Sequence, residues 1–405
     1  MNSLTKPENI SSLHQGGHNE FDEIPDRTLI STAKWEMEFE RTGNRNLLGF
    51  GTADMDFRSA APIAAALERT AKIGHFGYPF KQAGYYDAII GFYKRKFGWD
   101  IKREWISHST GIYPSMRPLI DQLTEPGDEI IYQSPVHFQF RNIIAAGRRV
   151  PVANPLMKRG DRYEIDFDHL ESVVSPRTRM LLLCNPHNPV GRVWTHEELK
   201  RLADFCVQRN IIVLSDEVYC GLLFKGHSFI PFASISPEAS MITVTLTSAS
   251  KMFNLTGLKH SQVITESPRL MAAYLEGLKQ DASGYGGSLF GQAAAEAAYR
   301  DCDDWLDRLM EYVTENYHFA SEFFERELPD IKVYPMESTY FMWLDISKYG
   351  IGDAEMREYF EQKHEIVLNY GIDLGIGGEG HIRFNIGTPR QLLIQGLERM
   401  KQALS

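Results

Sequence analysis

Three strand-like runs in the middle of the chain each lead into a polar residue that can carry chemistry. Apolar and β-branched residues dominate these runs, which favours buried strands of a sheet. The runs cover residues 179–184, 211–215 and 241–246. The polar residues that follow them include Asn188, Asp216 and Lys251. Open α/β sheets bind ligands outside the carboxyl ends of their strands, so this pattern predicts one site shared by all three residues.

Lys251 follows the third run, in the short motif Ser248-Ala249-Ser250-Lys251. Desolvation of a lysine at a strand end shifts it toward the neutral amine, which can form a Schiff base with an aldehyde. The hydroxyls of Ser248 and Ser250 suit a phosphate. A lone SxSK match is more typical of a surface lysine in a serine-rich loop. The polar residues upstream therefore decide the interpretation in favour of a cofactor site.

The three residues match what pyridoxal 5'-phosphate (PLP) requires of a protein. PLP needs a carboxylate at its pyridinium nitrogen, donors at its phenolic oxygen and a lysine at its aldehyde. Asp216 supplies the carboxylate, although a strand-end cap is its simpler alternative, and Asn188 and Tyr219 supply the donors. The order and spacing of these residues resemble the fold-type I PLP enzymes of the aspartate aminotransferase superfamily.

Five segments narrow this resemblance. They are ADMDF at 53–57, FGY at 76–78, NPHNPVGRVW at 185–194, SASKMFNL at 248–255 and DWLD at 304–307. Together they resemble the MalY/PatB group of cysteine-S-conjugate (cystathionine) β-lyases, over most of the chain. The resemblance implies an α/β fold of the PLP-dependent transferase type. Its large domain would hold a mostly parallel, seven-stranded-type sheet, and a smaller α+β domain would accompany it.

The resemblance also implies roles for residues outside the three runs. The counterpart of Tyr78 reaches from one subunit to the cofactor phosphate of the other, which implies a homodimer with shared active sites. Arg383 matches the residue that binds the substrate α-carboxylate, the alternative being a surface ion pair, and Asn185 adds a donor to that carboxylate. His137 replaces a tyrosine that stacks on the pyridine ring. It either stacks as well or faces substrate or solvent.

A phosphate seat is predicted at the start of a helix near residue 112. The short strand before it ends at Ser109, and Pro114 occupies the first helical turn. Free backbone N–H groups at a helix start bind anions. We therefore place Gly111, Ile112 and Tyr113 at the phosphate of the cofactor.

Two residues occupy positions that are characteristic of aminotransferases, so the sequence does not decide between the lyase and aminotransferase activities. Tyr219 replaces the histidine usual in the lyase group and matches the tyrosine of many aminotransferases. Lys259 occupies the position of a phosphate-binding arginine in many aminotransferases, and its role is open. We predict a carbon–sulfur β-lyase acting on cysteine S-conjugates such as L-cystathionine. The first alternative is a class I/II aminotransferase, and the less favoured one is a PLP-binding regulatory protein.

The composition excludes some classes of binding partner and indicates the cellular compartment. The net charge is −10 without a basic cluster, which argues against nucleic acid or an anionic membrane surface as partner. Four cysteines without CxxC spacing indicate reduced thiols, so we expect a cytoplasmic enzyme with a small amino-acid substrate. The N-terminus lacks an apolar targeting segment, and no run approaches membrane-spanning length.

The pattern along the chain predicts four parts. They are a flexible arm over 1–22, an N-terminal segment of the small domain over 23–56, a large PLP-binding domain over 57–287 and a C-terminal small domain over 288–405. Helices are expected near 60–72, 195–208 and 267–279, and one long helix over 292–328. Asp54 and Asp56 either lie against the site or cap the helix near 60. The GxGxxG spelling at 375–380 precedes a strand, so we interpret it as a loop.

Overall fold

The protein is described here by a computed structural model that covers residues 19–26, 31–280 and 287–405. The α-helices are α1 Glu38–Thr42, α2 Ala61–Ile73, α3 Ala83–Phe97, α4 Ile112–Leu123, α5 Gln139–Ala146, α6 Phe167–Val173, α7 His196–Gln208, α8 Pro237–Ile242, α9 Ala249–Met252, α10 Pro268–Gln280, α11 Leu289–Asp301, α12 Asp303–Glu327 and α13 Arg390–Leu404. Short π-helices cover Ala33–Met37 and Glu358–Lys363. The arm predicted over 1–22 lies outside the described residues except for 19–22.

The strands form a large sheet, a smaller sheet and two short ribbons. They are β1 Leu48–Gly49, β2 Ile106–Ser109, β3 Glu129–Ser134, β4 Val150–Pro155, β5 Met157–Arg159, β6 Arg162–Glu164, β7 Thr178–Cys184, β8 Ile212–Asp216, β9 Thr243–Thr247, β10 Ser261–Ile264, β11 Lys332–Val333, β12 Phe341–Asp345, β13 Ile366–Val367, β14 Asn369–Tyr370 and β15 His381–Asn385. The large sheet has seven strands in the order β2-β10-β9-β8-β7-β3-β4. Strand β10 runs antiparallel to both its neighbours, and β9, β8, β7, β3 and β4 run parallel. The predicted fold class is confirmed.

Burial on both faces explains why the strands of the large sheet are apolar throughout. In β7, Leu181 and Leu183 pack in the cluster that includes Leu202 of α7. Met180 and Leu182 alternate with them and pack on the opposite face, toward α4 and α10. A parallel sheet covered by helices on both faces needs such continuous apolar strands, because successive side chains point to opposite sides.

The smaller sheet lies in the C-terminal part of the chain. Its strands are antiparallel in the order β11-β12-β15-β14, and α12 packs against α13 in the same part. The N-terminal strand β1 pairs in parallel with β13. This pairing joins the segment before residue 57 to the C-terminal region. The boundaries predicted for the large and small domains remain a proposal.

Two predicted elements are wrong in detail. The strand predicted over 241–246 begins at Thr243, because the hydroxyl of Ser236 accepts from the Ala239 N–H (3.1 Å) and starts helix α8. The helix predicted over 292–328 is two helices that meet at the buried Cys302. Helix α11 packs on α2 and α3 whereas α12 packs on α13, so the chain changes direction between them.

Other expectations about the chain agree with the structure. The helices predicted near 60–72, 195–208 and 267–279 are α2, α7 and α10. Residues 375–380 form turns before β15. This agrees with the interpretation of the GxGxxG motif as a loop that precedes a strand. Across the described ranges, no helix combines the length and apolar character needed to cross a membrane.

Candidate active site

Neighbouring parallel strands bring the predicted polar residues to one edge of the large sheet. Strands β7, β8 and β9 are adjacent, and Cys184 at the end of β7 pairs with Asp216 at the end of β8. The segments that follow these strands carry Asn188, Tyr219 and Lys251. The predicted meeting of these segments at the carboxyl ends of the strands is therefore present.

Lys251 lies in the single helical turn α9, which Ser248 caps by accepting from the Ser250 N–H (3.0 Å). Its Nζ donates to the Ala53 carbonyl (2.6 Å) and to Thr256 Oγ1 (3.2 Å), and the Asp54 carboxylate lies 3.8 Å away. Burial lowers the pKa of Lys251 to about 8, although Asp54 opposes this shift. A much larger fraction of this amine is therefore neutral near pH 7 than in a solvated lysine.

Asp216 is a buried carboxylate at the end of β8. It is 5% exposed, and its Oδ1 accepts only a long bond from the Val218 N–H (3.3 Å). Burial raises the pKa of Asp216 to about 7, against smaller lowering effects of that N–H and of Lys251. Within the described chain no cation approaches this carboxylate closely enough for a salt bridge. The position suits a ligand that brings a positive charge of its own.

Tyr113 and His137 form an aromatic wall from a different part of the sheet. Tyr113 lies in the first turn of α4, and its hydroxyl is hydrogen-bonded to His137 Nδ1 (2.9 Å). The two rings are nearly parallel, with centroids 5.5 Å apart. Burial lowers the pKa of His137 to about 3, helped by the charges of Arg383 and Lys251. The imidazole is neutral at physiological pH, and Tyr113 contributes a ring as well as the backbone N–H predicted for it.

Arg383 extends from β15 and is buried, so the alternative of a surface ion pair is wrong. Its Nη1 donates to Asn188 Oδ1 (2.8 Å), and its Nη2 donates to the Gly51 carbonyl (2.8 Å) and to Asn369 Oδ1. The guanidinium lies 4.0 Å from the Phe341 ring centroid. Its Nε is buried without a hydrogen-bond partner in the described structure. A buried guanidinium with a spare donor fits an incoming carboxylate.

Some predicted site residues are placed elsewhere or already bonded. Tyr78 is 89% exposed in the single subunit. Asn185 donates from Nδ2 to the Ile230 carbonyl (3.1 Å), and the Ser248 hydroxyl donates to the His260 carbonyl (2.7 Å). Ser250 is half-buried and follows Ser248 at the same turn. Ser250 is therefore the more available hydroxyl for a phosphate.

The start of α4 keeps the character predicted for an anion seat. Gly111 is the N-cap, and among the described residues no side chain caps the start of the helix. Ile112 is the first helical residue, so the backbone donors of this turn remain open to a ligand.

The N-terminal segment forms part of the site, and both acidic residues in it are explained. Asp56 accepts from Lys34 Nζ (2.7 Å) and Trp35 Nε1 (2.8 Å), whereas Asp54 faces Lys251. The N-cap of α2, Ala60, has no side-chain cap, so the capping alternative for these carboxylates is wrong.

Three contacts to these residues were not predicted from the sequence. They involve Thr256 at Lys251, Asn369 at Arg383 and Tyr340, whose hydroxyl donates to the Ala53 carbonyl (3.0 Å). Thr256 follows Lys251 by only five residues, and this closeness in the sequence could have indicated the contact. Asn369 lies opposite Arg383 in the β14–β15 ladder, and only the register of that pairing shows the contact.

The fold and these side chains define a class: α/β proteins with a half-buried lysine and a buried carboxylate at adjacent strand ends and a buried arginine from a second sheet. The aminotransferase class I and II family matches residues 45–400. The chain therefore belongs to the aminotransferase class I and II family.

Similar proteins agree with this membership over nearly the whole chain. Cystathionine beta-lyase PatB of Bacillus subtilis (strain 168) is 36% identical, covering 95% of this chain and 100% of the relative. A PLP-bound protein of Clostridium difficile 630, described as an aminotransferase, has 34% identity and a TM-score of 0.93, covering 96% and 100% of the two chains. Cystalysin of Treponema denticola, which contains PLP, has 28% identity and a TM-score of 0.91, covering 95% and 98%.

Proposed function

We propose that this protein is a PLP-dependent carbon–sulfur β-lyase that converts cysteine S-conjugates such as L-cystathionine into a thiol, pyruvate and ammonia. The observation that carries the proposal is the placement of two groups at the ends of adjacent strands: Lys251, a half-buried amine with a lowered pKa, and Asp216, a buried carboxylate that forms no salt bridge with the described residues. The names of PatB and of further relatives support the lyase over other activities of the family.

The side chains present fit PLP. Asp216 would face the pyridinium nitrogen. The positive charge of that nitrogen would give the buried carboxylate a cationic partner. Asn188 and Tyr219 would donate to the phenolic oxygen, and the aromatic wall of Tyr113 and His137 would contact the ring. The phosphate would take the open N–H groups at Gly111 and Ile112 together with the Ser250 hydroxyl. When bound, PLP supplies an electron sink for the electron pair left on the substrate when its α-proton is removed.

The chain itself positions the substrate and moves the proton. Arg383 holds the substrate α-carboxylate, and its bonds to Asn188, Gly51 and Asn369 fix the guanidinium before the substrate arrives. Lys251, as the neutral amine, takes the α-proton. The Cβ–S bond then breaks, and the thiolate leaves with the bonding electrons. Water hydrolyses the resulting aminoacrylate to pyruvate and ammonia.

An aminotransferase is the second candidate, because one observation in the site favours it. Tyr219 occupies the position where the lyase group usually carries histidine, and it is buried. Burial raises the pKa of the Tyr219 phenol, and the negative charge of Asp216 adds to this shift. The described relatives also include aminotransferases. An aminotransferase would use the same Lys251 and Arg383 but would return the proton to the cofactor and require a keto acid for turnover.

We also propose that the protein is a homodimer and that it works in the cytoplasm. The end of α2 and the segment after it expose four large apolar side chains, Ile73 (75%), Phe76 (61%), Tyr78 (89%) and Phe80 (79%). A second subunit would cover this stretch and would place Tyr78 at the neighbouring phosphate. The four cysteines are buried free thiols, which supports a reducing compartment.

Incubation of the PLP-loaded protein with L-cystathionine in the absence of any keto acid tests the activity. We expect equal amounts of thiol and pyruvate over many turnovers, because the proposed reaction regenerates the starting enzyme. If thiol is not released while an amino acid exhausts the bound PLP in one turnover, the aminotransferase interpretation replaces this one.

A further inference from the structure

Lys251 contacts a stretch of backbone, residues 52–57, that belongs to no helix or strand. The Lys251 amine donates to the Ala53 carbonyl (2.6 Å), and the Asp54 carboxylate lies 3.8 Å from the same nitrogen. In the part of the chain that the structure describes, the 52–57 segment forms one hydrogen bond to another backbone group. Side chains from elsewhere in the chain therefore determine where the Ala53 carbonyl and the Asp54 carboxylate lie.

The side chain of Asn254 forms three hydrogen bonds to the 52–57 segment. Its Oδ1 accepts from the Met55 N–H (3.1 Å), and its Nδ2 donates to the carbonyls of Met55 and Phe57 (both 3.0 Å). One N–H and two carbonyls require one acceptor and two donors, and the amide of asparagine supplies this combination. Asn254 therefore pairs with Met55 much as the backbone of a neighbouring strand would.

Asn254 lies in the same turn as Lys251, three residues later in the sequence. The Leu255 N–H closes this turn by donating to the Ser250 carbonyl (2.8 Å). Asn254 has a φ of 58°, in the left-handed region that asparagine adopts more readily than most residues. The turn thus carries both the reacting amine and the side chain that holds the segment opposite it.

Two other side chains hold the 52–57 segment to different parts of the protein. Lys34, from the N-terminal region, donates to the Asp54 carbonyl (3.1 Å). Asn385, from β15, donates to the carbonyls of Thr52 and Asp54 (both 2.8 Å). These contacts fix the segment against the N-terminal region and the smaller sheet, whereas Asn254 fixes it against the turn that bears the amine.

We propose that Asn254 is a positioning residue, which holds the Ala53 carbonyl and the Asp54 carboxylate against the Lys251 amine. The inference rests on the proposed role of Lys251 and adds a residue through which the protonation of that amine is set. A carbonyl that accepts from the amine and a nearby negative charge both favour the ammonium form. Loss of the Asn254 bonds should therefore shift Lys251 toward the neutral amine.

Asn254→Gly removes all three bonds without straining the backbone, because glycine readily adopts a positive φ. Asn210→Gly is the matched control. Asn210 is an exposed asparagine with a φ of 55°, and it lies between α7 and β8. Both variants carry the same entropic cost of a new glycine, so thermal unfolding of the two separates this general effect from the loss of the Asn254 bonds.

Trace acetylation of the cofactor-free protein across a pH series measures the neutral fraction of Lys251, because only a neutral amine reacts. Mass spectrometry of the Lys251 peptide quantifies the label, and the wild-type protein and Asn210→Gly should have midpoints near 8. Asn254→Gly should lower the midpoint by about one pH unit, the low end of the range for an opposite charge nearby. Asp54→Asn should shift it in the same direction.

Two results of the labelling overturn the proposal. The first is a midpoint in Asn254→Gly that equals the wild-type value. The second is a rise toward 10.5, the value of a solvated lysine, because Asn254 would then only keep water away from the amine.

Turnover gives a second measurement and separates this proposal from the proposed function. If the wild-type protein releases no thiol from L-cystathionine, the lyase assignment fails, while labelling of the cofactor-free protein still decides the role of Asn254. If thiol is released, kcat of Asn254→Gly should fall by about 10- to 100-fold with little change in KM, because a misplaced amine slows proton transfer. A kcat within about twofold of wild type contradicts the positioning role.

Discussion

Arg383→Lys should reduce kcat/KM for L-cystathionine by about 10- to 10²-fold. The unpartnered Nε–H of Arg383 is free to bond the substrate carboxylate, and a hydrogen bond to a charged group contributes about 1.5–3 kcal/mol. Lysine keeps the charge but lacks the planar fork, and it also loses the contacts to Asn188, Gly51 and Asn369 that hold the guanidinium. Thiol release, followed with a thiol reagent at several substrate concentrations, separates KM from kcat.

Two controls distinguish carboxylate binding from general damage. Arg308→Lys changes an exposed arginine paired with Glu20 and should behave as wild type. An S-conjugate of cysteamine, which lacks the α-carboxylate, should react equally slowly with the wild-type protein and with Arg383→Lys. The reasoning is refuted if Arg383→Lys stays within about threefold of wild type for L-cystathionine, or if the cysteamine conjugate suffers the same loss.

Two further predictions concern Lys251 and the dimer. The rate at which cofactor-free protein captures PLP should rise as the pH increases through about 8, because the neutral amine is reactive and burial lowers the pKa of Lys251 from 10.5 to about 8. Absorbance-detected mixing across a pH series measures this rate, and a midpoint near 10.5, the value of a solvated lysine, would contradict the burial argument. Tyr78→Phe should weaken PLP retention if the phenol bonds the neighbouring phosphate, and wild-type activity should fall on dilution below the dimer dissociation constant. Full specific activity of a monomer, measured together with sedimentation, would exclude the shared site.

Residues that follow the buried strands of the large sheet were predictable because local pattern and topology coincide there. Asn188, Asp216 and Lys251 follow apolar runs, and neighbouring parallel strands bring their ends to one edge. The start of α4 was predictable for a similar reason, since Pro114 marks its first turn. The roles assigned to these residues stay predictions.

Contacts that depend on tertiary pairing could not be predicted in this way. Asn369 meets Arg383 only through the register of β14 with β15, and two-residue strands carry almost no sequence signal. The break at Cys302 is also invisible in the helical pattern, because both helices around it are amphipathic and only their different packing partners separate them. Asp54 reaches Lys251 because Lys34 and Asn385 hold its backbone, a contact set drawn from distant parts of the chain.

Borohydride reduction of the PLP-loaded protein, followed by peptide mass mapping, tests the central claim that Lys251 is the lysine joined to PLP. We predict that the pyridoxyl group is found on the peptide containing Lys251 and is absent after the same treatment of Lys251→Ala. Lys259, eight residues later in the sequence and exposed, provides an internal comparison. A label on Lys259 or on another lysine in the wild-type protein would contradict the account.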